Sequence, residues 1–79
     1  MGGMVLSNKE LGDRIGVSHS MASRIRNGRR LPGTRTLDRI HRELGIPLLD
    51  LMDAHRAGAP AFGRLLSEHL HRDFGRLAA

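Results

Sequence analysis

The chain has 79 residues, which is one domain's worth, and a domain of that size buries a limited share of its surface. It has no cysteine, which excludes a disulfide framework and a thiolate zinc site, and no run near the roughly eighteen consecutive apolar residues of a membrane span. Basic residues outnumber acidic ones by 13 to 8, and Lys9 is the only lysine among them. The first six residues lack the charged and apolar regions of a secretory signal, so a cytosolic protein is expected.

The arginine bias alone says little, because a GC-rich genome produces it as readily as a need to bind phosphate. Its distribution says more. Between Ser18 and Arg42 stand Arg24, Arg26, Arg29, Arg30, Arg35, Arg39 and Arg42 against the single acid Asp38, whereas the flanking segments are close to neutral. A positive field confined to one segment is the footprint expected for a polyanion partner.

Glycine and proline punctuate the chain into five predicted helices. The first runs over 8–15, with Ser7 as N-cap, Glu10 at capping-box spacing and Gly16 as the stop. The second follows Ser18 and extends to Asn27, with Gly28 behind it. After the basic loop Arg29-Arg30-Leu31-Pro32-Gly33, the third spans 34–44 with Leu37, Ile40, His41 and Leu44 at helical spacing. The fourth starts at Pro47, and Leu48, Leu51, Met52 and His55 form its expected inner stripe. The last covers 60–77, with Phe62, Leu65, Leu66, Leu70, Phe74 and Leu77 on one side. No period-2 alternation appears, so the expected class is all-α.

A helix-turn-helix unit needs two short helices in close contact, a tight turn, and small or apolar residues where they touch. Residues 8–27 meet that need. Gly12, fifth in the unit, is small enough for close approach; Gly16, ninth, permits the positive φ of the turn; Leu11, Ile15, Val17, Ala22 and Ile25 take the inward positions.

On these residues the segment 6–32, LSNKELGDRIGVSHSMASRIRNGRRLP, resembles the lambda-repressor-like, Cro-type (XRE) helix-turn-helix family, and 36–51, TLDRIHRELGIPLLDL, resembles that family's next two helices. The resemblance spans about residues 6–52. Three departures accompany it. Only seven residues precede Asn8, so the helix that members carry before the motif is not expected. Arg26 stands where the family often has glutamate, as a phosphate contact or as a changed surface ion pair. The tail beyond Ala57 aligns with nothing in the family.

The resemblance implies a sequence-specific regulator that binds double-stranded DNA, a repressor or Cro-like protein of a bacterium or its phage. With Ala22 and Ile25 inward, the helical step turns Ser20, Ser23, Arg24 and Asn27 outward, with His19 at the tip. The resemblance carries base reading onto His19, Ser20, Ser23 and Arg24, and a phosphate contact is the alternative for Arg24. It sets Asn8, Ser18 and Asn27 against phosphates, a clamp that Arg29, Arg30 and Arg35 extend. Arg39 and Arg42 read as solvated surface.

A homodimer on an inverted repeat is expected, because one domain touches few base pairs, with half-sites about 34 Å apart. The dimer surface expected is Phe62, Leu66, Leu70 and Phe74, and the equally weighted alternative is that this stripe packs back on its own domain. An antitoxin whose C-terminal segment grips a toxin, or a protein-interaction module on the same fold, are the rival functions. No cofactor, metal or catalysis is expected: His69 and His71 are two apart on a helix and cannot share an ion, His41 and His55 sit on apolar stripes, and nothing assembles Ser, His and Asp as a triad.

Overall fold

The computed structural model describes residues 6–78, with side chains through His71. The described residues form five helices and no strand: α1 Asn8–Ile15, α2 His19–Arg26, α3 Thr34–Leu44, α4 Leu48–Ala57 and α5 Ala59–Ala78. The ends follow from local chemistry. Ser7 Oγ accepts from the Glu10 amide while the Glu10 carboxylate accepts from the Ser7 amide, a complete capping box. Hydrogen bonding of the carboxylate to the Ser7 amide first, and to the Ser7 hydroxyl second, holds the Glu10 carboxyl below the usual carboxylate range. Gly16 and Gly45 close α1 and α3 in the left-handed region at φ 77 and φ 72.

Four boundaries move by one residue from their sequence expectation, two of them the ends of α5, which starts at Ala59 and runs to Ala78. Asn27 caps α2 rather than ending it, and Pro47, with ψ 136, caps α4 from outside instead of opening its first turn.

The interior is apolar throughout. Leu11, Ile15, Ala22, Ile25, Ile40, Leu44, Ile46 and Leu51 are buried together with Phe62, Leu66 and Leu70, and no polar side chain is buried among the described residues. Helix α1 packs on α2 and α3, α3 packs on α4, and α5 packs on both α4 and α2. The last helix is thus the element that closes the core.

That arrangement corrects the dimer surface expected from the sequence. Phe62, Leu66 and Leu70 are each 0 % exposed within one chain, so they are already spent and offer nothing to a second copy. The side chain of Phe74 lies outside the described residues. A second correction concerns α4: only Leu51 of its stripe is buried, while Leu48 and Met52 are 43 % exposed and neighbouring Leu49 is 73 % exposed. With Leu51 buried, the edges of the stripe face a groove that no other element covers among the described residues; its walls include Leu37, Leu48, Met52 and His55.

Close approach of α5 to α2 depends on a glycine. A Cβ on Gly63 would stand 2.6 Å from the Gly28 nitrogen, 2.7 Å from the Gly28 Cα and 3.0 Å from the Arg26 carbonyl oxygen. Backbone cannot yield as a side chain can. Gly63→Ala is therefore expected to lower stability by about 1–3 kcal/mol, seen as a thermal midpoint falling by about 4–8 °C for each kcal/mol. An unchanged midpoint in a calorimetric scan would mean that α5 is not seated against α2 in this way.

Candidate nucleic-acid interface

Helix α2 has only eight residues, too few to be stable alone, so its position is set by what it touches. On its inner side Ala22 and Ile25 are fully buried, and at its start Ser18 Oγ accepts from the Met21 amide at 3.0 Å. The turn before it is tight because Gly12 has no side chain: a Cβ there would lie 2.8 Å from the Val17 carbonyl oxygen. Ser18, assigned to phosphate by the resemblance, is thus first of all the cap; its hydroxyl proton stays available to an acceptor.

Fixing the inner side fixes the outer one. His19, Ser20 and Arg24 are exposed and Ser23 is half-buried, so the four candidate base readers share the outward half of α2. His19 Nε2 lies 3.4 Å from Asp13 Oδ1 on α1, an exposed contact that steadies the ring at the helix tip. Asn27 Nδ2 donates to Ser23 Oγ at 3.3 Å, tying the end of the helix to its middle.

The candidate phosphate contacts surround this surface. Asn8 opens α1, Arg29 and Arg30 stand in the loop after α2, and Arg35 lies in the first turn of α3; all four are exposed. Among the described residues Arg24, Arg29, Arg30 and Arg35 have no ion-pair or side-chain hydrogen-bond partner. Arg42 and Arg39 differ. They pair along their own helix with Asp38 at 3.0 Å and Glu43 at 3.9 Å, which agrees with their reading as solvated surface. Among the described residues, these four unpaired arginines thus stand on the α2 side of the molecule, on the loop behind it and at the start of α3.

Arg26 is the residue whose role sequence reasoning left open, and it proves to be a strut within the chain. Its Nη1 donates to Asn8 Oδ1 at 3.1 Å and its Nη2 to the Leu6 carbonyl oxygen, joining the end of α2 to the start of α1. From the other side, Ser67 Oγ of α5 donates to the Arg26 carbonyl at 3.2 Å. Burial lowers the guanidinium pKa from its ordinary value, yet an arginine so placed stays charged at any working pH. With its oxygen committed to Arg26, Asn8 keeps its two Nδ2 hydrogens for an acidic acceptor. The only sequence signal was the departure from glutamate, which by itself did not show the direction of the side chain.

His41 and His55 serve packing. His41 Nδ1 donates to the Ile46 carbonyl at 2.7 Å, and His55 Nε2 donates to the Pro32 carbonyl at 2.9 Å while meeting Phe62 edge-on. Both tie loops to helices, as their place on apolar stripes implied.

The Arg26–Asn8 contact is expected to couple by about 1 kcal/mol in a double-mutant cycle of Arg26→Met and Asn8→Ala read by urea denaturation. Strict additivity of the two effects would show that the strut does not form.

Comparison with known proteins bears on the same surface. No curated protein and no solved structure matches the chain significantly. A family model described as helix-turn-helix, HTH_3, matches residues 6–51, which takes in α1, α2, α3 and the start of α4. That match spans more than half of the sequence and includes every candidate base-reading and phosphate-contacting residue named above. The chain therefore belongs to the XRE-type helix-turn-helix family of DNA-binding regulators.

Proposed function

We propose that this protein is a sequence-specific repressor of the Cro type, which acts by occupying an operator and excluding polymerase from it. Helix α2 enters the major groove; His19, Ser20, Ser23 and Arg24 read base edges, and Asn8, Ser18, Asn27, Arg29, Arg30 and Arg35 fix the register on phosphates. The observation that carries this reading is the set of unpaired, exposed arginines gathered around an α2 whose outward residues are all polar or charged. A module kept only for protein contacts has no need of such a field.

Arg24 is the main source of discrimination in this reading. A guanidinium can donate two parallel hydrogen bonds to guanine O6 and N7, an arrangement that separates guanine from other bases by about 1–3 kcal/mol. One α2 reads too few base pairs to select a site in a genome, so the protein acts as a two-fold dimer. The surface we assign to the second copy is α4, where Leu48, Leu49 and Met52 are exposed beside a groove.

Selection of bound sites from random duplex DNA tests the whole reading. The wild type should return an inverted repeat with half-sites about one helical turn apart, and Arg24→Ala should flatten the preference at one guanine in each half while binding to unrelated duplex changes little. Unselected sequences from the wild type, or an unchanged preference in the variant, would refute it.

A further inference from the structure

The closing helix does more than cover the core. Beside the end of α2 lies a cleft of about 290 Å³ whose walls include Asn27, Gly28, Gly63, Arg64 and Ser67, and no carboxylate lines it. Gly63 brings the backbone of α5 against Gly28, the residue directly after Asn27, so Arg64 opens onto the same cleft as Asn27. Arg64 is exposed. Among the described residues it has no ion-pair or hydrogen-bond partner, although Glu68 stands one turn further along the same helix. Arg26 also lines the cleft: its Nη1 and Nη2 are turned to Asn8 and Leu6, and its buried Nε has no hydrogen-bond partner among the described residues.

We propose that Arg64 is a further DNA contact: with Asn27 it forms a seat for one backbone phosphate at the C-terminal end of α2. The proposal rests on the reading of α2 as the groove-binding helix. Its chemistry is that of a phosphodiester site, with the Asn27 amide and a guanidinium as donors and no acid lining the cleft to repel the anion. Arg64 sits on a helix held by a buried stripe, so little freedom beyond its own rotamers is given up when it engages. The tail that the family match does not reach therefore belongs to the DNA-binding surface, and the Gly28–Gly63 contact is what places it there.

The test compares the wild type, Arg64→Ala and Arg64→Lys on one selected duplex, with circular dichroism to verify equal helix content. Arg64→Ala should weaken binding about three- to tenfold and make the slope of log K against log salt shallower by about 0.9, the value for one phosphate no longer neutralised. Its base preference should stay that of the wild type. Ethylation interference should disappear at one phosphate flanking the bases read by α2, and Arg64→Lys should keep the salt slope. Wild-type affinity, slope and interference in Arg64→Ala would overturn the assignment while leaving α2 recognition intact. Failure of the wild type to bind any duplex would instead remove the underlying reading, and this one with it.

Discussion

The burial of one stripe, Phe62, Leu66 and Leu70, against α4 and α2 is the interaction on which the rest of the molecule depends. A domain of this size is stable by only about 5–15 kcal/mol, and a buried phenylalanine truncated to alanine removes about 3–5 kcal/mol. The core has no disulfide or buried polar network to fall back on among the described residues. Seating α5 is therefore what allows a chain with only short helices elsewhere to hold α2 in one orientation.

Function follows from that orientation. The inward side of α2 is fixed by Ala22 and Ile25, its start by the Ser18 cap and the Gly12 approach, and its end by Arg26 and the Gly28–Gly63 contact. The restraints come from α1 and α5 as well as from the cap of α2 itself, so the outward side chains are presented on a rigid support before any ligand arrives. Preorganisation of this kind reduces the ordering required on association and leaves more of the interaction free energy for affinity. The same restraints leave the arginines of the following loop unpaired and exposed, where a polyanion meets them.

Much of this was legible in the residues, because the relevant signals are local. Helices α1 and α3 have the bounds that caps and glycines implied, and the inward set Leu11, Ile15, Ala22 and Ile25 is buried as its spacing required. What escaped the sequence depends on contacts between distant segments. An amphipathic stripe such as that of α5 suits a dimer or its own core equally well, and only the fold shows that Phe62, Leu66 and Leu70 are consumed internally. Gly63 carries no local turn signal at all; its meaning appears only when Gly28 is beside it. Arg26 reads as surface charge until its partners Leu6 and Asn8, eighteen to twenty residues away, come into view. Leu48 and Met52 have helical spacing but lie at the edges of their stripe, where exposure depends on whether a neighbour covers them.

Central to all of this is that one side of the molecule, the outward half of α2 with its arginine loop, meets duplex DNA. Amide chemical-shift mapping on addition of a short duplex tests this residue by residue. The changes should concentrate at His19–Asn27, Arg29, Arg30 and Asn8, with the α4 surface around Leu49 undisturbed by the nucleic acid. Changes centred on α4 with α2 silent would contradict it.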